Sequence, residues 1–411
     1  MTKRDGSLVL LLAGGICSLM IAMGIGRFAY TPILPLMQTD LGFSDAWAGY
    51  LASSNYAGYF LGAVLIGFLP VKKRKVLYLR SGFAASIATT GMMGLTHSFA
   101  LMLAIRFLSG LASALIFVLA SSIVLDRLAQ AGKTGASGYL YSGVGLGIIC
   151  STLFIPWMNT FFMWDGVWIG LSLLSGLLAV FIWLWIKDSP DNLGHHAASK
   201  PDQPAAKEPK AAEERKANAR ASSRKALPWL AIAYGLEGLG YIVTGTFIVS
   251  IADKASTFTA NSSVVWILVG LGAIPSCIIW AALAKTRGYV RSLVLAMVVQ
   301  AIGIAMPVFW LNQTGIMISA LLFGATFMGI TTLATTLARQ MSPANSSRII
   351  GFLTAVYGAG QMAGPAIAGF LMTHTQSFHA ALLGAAGAVF AGAVLLAIGL
   401  RLEQGQKHGL R

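Results

Sequence analysis

The chain reads as a succession of apolar stretches separated by short polar gaps. Twelve stretches, at residues 8–36, 44–70, 76–96, 98–126, 136–160, 165–187, 228–251, 263–284, 291–311, 315–340, 349–373 and 378–400, are long enough to cross a membrane. The hydrocarbon layer is about 30 Å thick and takes roughly 20 helical residues. Runs such as Leu171–Ile186 are continuously apolar. A membrane β-barrel would alternate apolar and polar residues in segments of about ten. The pattern predicts an all-α polytopic membrane protein with twelve transmembrane helices. The short gaps make consecutive helices antiparallel.

One gap is different. Residues 188–227 open with Asp188-Ser189-Pro190-Asp191, carry Pro201, Pro204 and Pro209, and are otherwise alanine and mixed charge. Such a composition buries too little apolar surface to offset the entropy of ordering. A flexible connector is expected, within which Ala211–Arg224 can form a transient surface helix. The organisation is then a six-helix bundle over 1–187, a connector over 188–227 and a second six-helix bundle over 228–411. The bundles carry a weak repeat. Gly24-Ile25-Gly26 falls on Gly238-Leu239-Gly240, Gly110 on Gly324, and Leu119-Ala120-Ser121-Ser122 on Leu333-Ala334-Thr335-Thr336, all at an offset of 214. Gly138, Gly145 and Gly147 fall on Gly351, Gly358 and Gly360 at 213. Parallel six-helix repeats related by an axis along the membrane normal point to a pseudo-symmetric transporter with its site between the halves.

Composition removes other classes. The chain is 56% hydrophobic and only 10% charged, against about 45–50% and 25% in soluble proteins. A soluble enzyme, a disordered protein and a coiled coil are excluded. A net charge of +15 would suit nucleic acid, but its placement does not. Of 29 Lys and Arg, all but Lys254, Arg27 and Arg106 lie on one side of the helices. By the positive-inside rule that side, with both termini and the connector, is cytoplasmic. The charge is a topology signal, and no nucleic-acid partner is expected. The lipid bilayer is the expected surrounding. The first stretch starts like a signal peptide, yet runs past the usual 7–15 apolar residues, so an uncleaved span is expected. The three cysteines, Cys17, Cys150 and Cys277, fall inside helices with no metal-ligand spacing.

Three charges lie deep inside the apolar stretches: Arg27, Arg106 and Glu237. Each is eight or nine residues from a span end, roughly 12–14 Å at 1.5 Å per residue, near the midplane. A charge there costs at least about 2.5–3.5 kcal/mol, so each needs a reason. A cavity lined by spans 1, 4 and 7 would hold all three. Its excess of positive charge suits a monoanion such as a carboxylate, which guanidinium binds bidentately. Glu237 is the only carboxylate deep in a span and a candidate proton carrier. The plainer alternative is that Arg106 pairs with Glu237 or with backbone carbonyls and only holds the bundle. Tyr30, Asn55, Tyr59, Tyr141, Tyr241, Thr332 and Gln361 are further candidates to line the cavity, each as readily a helix–helix hydrogen bond as a substrate contact.

Several segments are patterned. Arg106-x-x-x-Gly110-x-x-x-Ala114 places small residues where helices can approach closely. Gly67-Phe68-Leu69-Pro70 precedes the basic run Lys72–Lys75. Gly358-x-Gly360 with Gly364-Pro365 marks a close-packed, bendable helix in span 11. Together these segments resemble the major facilitator superfamily over essentially the whole chain. Gly24-Ile-Gly-Arg27-Phe28-Ala-Tyr30-Thr-Pro32-Ile-Leu-Pro35 and Tyr234-Gly-Leu-Glu237-Gly-Leu-Gly-Tyr241 are similar to the YbfB/YjiJ-type bacterial carriers. The resemblance implies a central cavity lined by spans 1, 4, 7 and 10. It also implies rocking between inward- and outward-open states, a monomer, and the bacterial cytoplasmic (inner) membrane. The loop after span 2 keeps the family's basic residues but lacks its usual Asp and second Gly. Lys72, Arg74, Asp126 and Arg127 are therefore the gating candidates.

Gly132-Lys133-Thr134 ends like a phosphate-binding loop, but Arg127 stands where its first glycine belongs. With no ATP-binding segment, transport would be secondary. No histidine is mid-span, no catalytic or metal motif is legible, and neither an enzyme activity nor a cofactor is expected. The leading expectation is a proton-coupled carrier of a small organic solute, mildly favouring an anion. A drug or lipophilic-cation exporter using Glu237 is the first alternative. A non-transporting membrane sensor acting through the connector is the second.

Overall fold

The structure, a computed structural model, describes residues 3–68, 74–133, 136–186, 210–341 and 346–408. Among these residues every regular element is a helix. Span 1 is α1 (Lys3–Leu19), a π-helical stretch (Met20–Ile25) and α2 (Tyr30–Leu41). Spans 2–6 are α3 (Asp45–Phe68), α4 (Lys75–Met93), α5 (Phe99–Gln130), α6 (Ser137–Asn159) and α7 (Trp164–Trp185). Span 7 lies in α8 (Lys210–Lys254). Spans 8–12 are α9 (Ser263–Arg287), α10 (Tyr289–Phe309), α11 (Gln313–Met341), α12 (Ser346–Thr375) and α13 (His379–His408).

Among the described residues, nine helices are long and apolar enough to cross a membrane by themselves. The other three, α3, α4 and α12, turn polar side chains into the bundle: Asn55, Ser86, Thr90 and Gln361 are buried. Neighbouring helices satisfy what lipid cannot. Outward faces are apolar, as on α7, where Leu173, Leu177, Val180 and Leu184 are exposed. The end carrying the termini is called the near end here, and the opposite one the remote end.

Two boundaries differ from expectation. The first apolar stretch is broken in its middle. Gly26 and Phe28 donate their amides five residues back, to Ile21 and Met23, at 2.8 and 2.9 Å. Pro32 has no amide for the Phe28 carbonyl, which instead accepts from Thr31 at 3.2 Å. Span 7, by contrast, is uninterrupted and extends back to Lys210, into the expected connector. Residues 187–209 of that connector lie outside the described residues.

Packing repeats between the halves. In the first, α3 packs on α5, α5 on α4, α4 on α7, and span 1 on α6 and α7. In the second, α9 packs on α11, α11 on α10, α10 on α13, and α8 on α12 and α13. The halves meet through α3 with α12 and α6 with α9, another matched pair. The repeat holds at single atoms. A Cβ on Gly110 would overlap the carbonyl of Asn55, and one on Gly324 that of Val269. A Cβ on Gly58 would overlap the carbonyl of Phe107, and one on Gly272 would crowd that of Leu321 at 2.8 Å. Every residue of the second contact lies 214 positions after its counterpart in the first.

Candidate functional site

The broken first span places the site. Its carbonyls are exposed by the π-helical stretch and need donors. Arg106 of α5 supplies one: Nη1 donates to the Gly26 carbonyl at 3.3 Å, and Ser109 Oγ, one turn on, donates to the same oxygen at 3.0 Å. Arg106 Nε reaches the Leu51 carbonyl of α3 at 3.5 Å, and its guanidinium lies 4.6 Å from the Tyr30 ring centroid. Tyr30 donates its hydroxyl to the Ala48 carbonyl at 2.9 Å, and Asn55 Nδ2 donates to the Arg106 carbonyl at 3.0 Å. Gly110 lets α5 approach α3 closely enough for this. Arg106, Tyr30 and Asn55 thus form one cluster around the break, inside the first half.

Arg27 sits differently. It is buried, yet among the described residues no carboxylate pairs with it. Its guanidinium lies 4.6 and 4.5 Å from the ring centroids of Tyr56 and Tyr59 and 5.3 Å from that of Phe28. Nη2 donates to Tyr241 Oη of α8 at 3.4 Å, and Nε has no partner. Gln361 of α12 also donates to Tyr241 Oη, leaving its own Oε1 unpartnered. Arg27, Tyr59, Tyr241 and Gln361 therefore form a second cluster drawn from both halves. Behind Tyr241 the rings stack: Tyr357 at 5.6 Å, with Tyr234 at 4.2 Å from Tyr357, and Phe327 at 6.2 Å. Tyr56 and Tyr357 were not singled out from sequence, and Phe28 and Tyr234 only as parts of the family-like segments. The signals were there: Tyr56 and Tyr59 share a helix face at i,i+3, and Tyr234 and Tyr241 at i,i+7.

This cluster lies on the axis relating the halves. Arg27 meets Tyr241, and Thr31 Oγ1 donates to the Gly245 carbonyl at 2.5 Å; both pairs are 214 residues apart. Equivalent residues touch each other only where a two-fold relation passes between them. Further toward the remote end, Ser250 donates to Gln38 at 2.7 Å and Lys254 pairs with Asp45 at 2.8 Å. The Ala46 amide donates to Thr373 at 2.9 Å. Among the described residues these bonds between the halves lie at the level of Arg27 or beyond it, so the remote end is closed. On the near side the half-buried Tyr59, Phe117 and Tyr141 form an aromatic chain, with centroids 6.5 and 6.1 Å apart. It leads from Arg27 to the second turn of α6.

Glu237 forms no hydrogen bond with either cluster. Both its oxygens are buried without a hydrogen-bond partner, as is the amide of Gln300 on α10 beside it, and its charge also reaches Tyr234 and Tyr357 of the ring column. It sits inside the second half and does not pair with Arg106. Thr332 donates to the Met328 carbonyl of its own helix at 2.9 Å and contacts Cys277 Sγ at 3.2 Å, a packing role. Among the gating candidates, Lys72 lies outside the described residues, and Arg74 is exposed at the start of α4. Asp126 pairs with Lys75 at 2.9 Å, joining α4 to α5 within one half; Arg127 is half-buried in the last turn of α5.

Comparison with known proteins adds the lineage. Residues 19–396 match the family described as "Uncharacterised MFS-type transporter YbfB". The chain is 24% identical over 379 residues to the uncharacterized MFS-type transporter YceJ of Bacillus subtilis (strain 168), covering 88% of this chain and 90% of the relative. It is 27% identical over 158 residues to the sialic acid transporter NanX of Escherichia coli (strain K12), 38% of either chain. Among solved structures, the nucleoside transporter NupG superposes with a TM-score of 0.71 at 16% identity, over 95% of this chain and 99% of that one. The POT family transporter PepTSo superposes with a TM-score of 0.72 at 14% identity, over 97% and 98%. These two likenesses carry the fold alone.

Proposed function

Because this chain belongs to the MFS-type transporters of the YbfB family, a family of carriers and not of enzymes, we propose that it carries a small organic monoanion, coupled to protons, by alternating access. The observation that carries this reading is Arg27: a buried guanidinium with no carboxylate partner among the described residues, walled by aromatic rings, on the axis between the two halves. A buried charge is tolerated when it is paired. Cation–π contact contributes up to about 2 kcal/mol when desolvated, and does not neutralise the charge. A ligand carboxylate would neutralise it, with Nε free to donate. The ring column behind Tyr241 would flank the rest of the ligand. Sialic acid, named for the partial relative from Escherichia coli, is a carboxylated sugar of this general kind.

Proton coupling rests on Glu237. A carboxylate buried without a cation is neutral only while it holds a proton, and it sits on the helix that supplies Tyr241. Loading or losing that proton would bias which packing of α8 against α10 is favoured. With the near end cytoplasmic, the closed remote end corresponds to an inward-facing arrangement. We favour this reading over a cation exporter because the charge at the junction itself is the guanidinium of Arg27.

The test is uptake of labelled carboxylates into proteoliposomes at several pH values, with thermal shift of the purified protein alongside. Carboxylates should stabilise the protein and their uncharged amides should not. Glu237→Gln should keep carboxylate binding while uptake loses its response to an imposed pH gradient. Stabilisation by lipophilic cations instead, lost in Glu237→Gln, would reverse the substrate assignment.

A further inference from the structure

Away from the junction, the near-end corner between α4 and α7 holds a second arginine with no carboxylate partner among the described residues. Arg80, in the second turn of α4, stacks its guanidinium 3.7 Å from the centroid of the Trp183 ring in the last turn of α7. Its Nε is buried and has no hydrogen-bond partner. Among the described residues no carboxylate pairs with it, and Asp126 on the adjoining α5 is already held by Lys75. Beneath the stacked pair runs a shallow, open groove lined by Val76, Leu79 and Phe83 of α4, Ile182 of α7 and Ile186 just past its end. Trp183 is 55% exposed and continuous with the apolar outward face of α7 at Val180 and Leu184. The groove therefore opens toward lipid, not toward the junction.

We propose that this groove holds one anionic phospholipid, with its phosphate on Arg80 and part of an acyl chain along the apolar floor. Guanidinium suits a phosphodiester because two parallel N–H groups match two oxygens. A tryptophan ring at the end of a span sits at headgroup depth. Basic pockets between helices on the positive side of a membrane select anionic headgroups, and Lys72, Lys73, Arg74 and Lys75 precede Arg80 on that side. A free phosphate would satisfy Arg80 but leave the groove empty. The site occurs once: at the repeat offset, Val294 of α10 occupies the place of Arg80.

The experiment is thermal unfolding of the full chain in detergent with dioleoyl phosphatidylglycerol, dioleoyl phosphatidylcholine, glycerol 3-phosphate or inorganic phosphate added. Native mass spectrometry counts the lipids retained. Phosphatidylglycerol should raise the melting temperature by several degrees, phosphatidylcholine by much less, and the two water-soluble phosphates not at all. Arg80→Gln should lose the phosphatidylglycerol increment and retain one lipid fewer, while Arg80→Lys keeps part of both. Ile182→Gln, which leaves Arg80 in place and spoils the floor, should lower retention as well, and serves where Arg80→Gln does not fold. An unchanged increment in Arg80→Gln or Ile182→Gln, or equal stabilisation by inorganic phosphate, would overturn the lipid site.

Discussion

Spans 1 and 7 descend from the same position in the two repeats and do opposite things. Both carry a Gly-x-Gly at matched positions, Gly24 and Gly238. Span 1 breaks there into a π-helical stretch and a turn, and gathers Arg27 within itself and Arg106 from α5. Span 7 continues as one helix that carries the unpaired Glu237 and, one turn on, Tyr241, which meets Arg27. Pro32 and Pro35 account for part of the difference, since span 7 has Thr246 and Val249 at the matched positions. The comparison teaches that pseudo-symmetry supplies the scaffold and its local violation supplies the site. A symmetric pair of arginines on the axis would repel; an arginine opposite a tyrosine leaves one positive charge for a ligand.

The comparison is broken most severely at Arg27. Arg27→Ala should weaken carboxylate binding by roughly 100-fold, the scale of a lost charge-assisted hydrogen bond of about 2–3 kcal/mol. Isothermal titration would read it. Arg27→Lys should recover little, because a point charge cannot replace a planar fork. The matched change Tyr241→Phe should cost far less, since the charge remains.

Arg106 should give the reverse signature. Arg106→Ala leaves the Gly26 and Leu51 carbonyls without that donor and should destabilise the fold by about 2–4 kcal/mol, at about 1–3 kcal/mol for each unsatisfied buried group. Arg27→Ala, which removes an unneutralised cation, should leave the melting temperature nearly unchanged. Equal effects of the two on stability would mean that both arginines serve the bundle.

The glycines come next. A Cβ on Gly24 would overlap the Gly147 backbone, whereas one on Gly238 would meet the Tyr357 carbonyl at 2.6 Å and its ring at 2.7 Å. Each alanine should destabilise by about 1–3 kcal/mol, the usual range for overpacking. Gly24→Ala should cost more, because backbone cannot give way as a ring can. Gly176→Ala, with open space around it, is the control. Chemical or thermal unfolding in detergent gives the order.

The smallest effect should come from the remote-end latch. Lys254 is about half exposed and Asp45 is mostly covered. Lys254→Ala should change stability by less than about 1 kcal/mol, as exposed ion pairs do. It should still favour opening of the remote end. Labelling of Val249→Cys by a membrane-impermeant maleimide should speed up a few-fold in the Lys254→Ala background.

The sequence carried the fold far. Twelve apolar stretches, the side on which basic residues gather, and glycines recurring at 213–214 residues define the spans and the repeat without any contact being known. The reason is physical: lipid demands long apolar helices, and close helix packing demands small residues at fixed spacing. Arg27, Tyr59, Tyr241 and Gln361 were legible as candidates because polar groups in apolar spans are costly and need a cause. Their grouping was not. Sequence placed Arg27, Arg106 and Glu237 at one depth, but depth does not fix which way a side chain points around its helix axis.

That last variable is what tertiary structure decided. One residue along a helix turns a side chain by about 100°, enough to decide whether Arg106 meets Glu237 or the carbonyls of span 1 and α3. The break in span 1 was equally hidden, because prolines and glycines permit a π-helical stretch and only donors from neighbouring helices, Arg106 and Ser109 of α5 and Ser151 of α6, hold one open. The amino-acid sequence by itself determined that this chain crosses a membrane as two similar halves with three charges inside. Only packing decided that one arginine mends a broken helix, the other lies among aromatic rings on the axis, and the carboxylate pairs with neither.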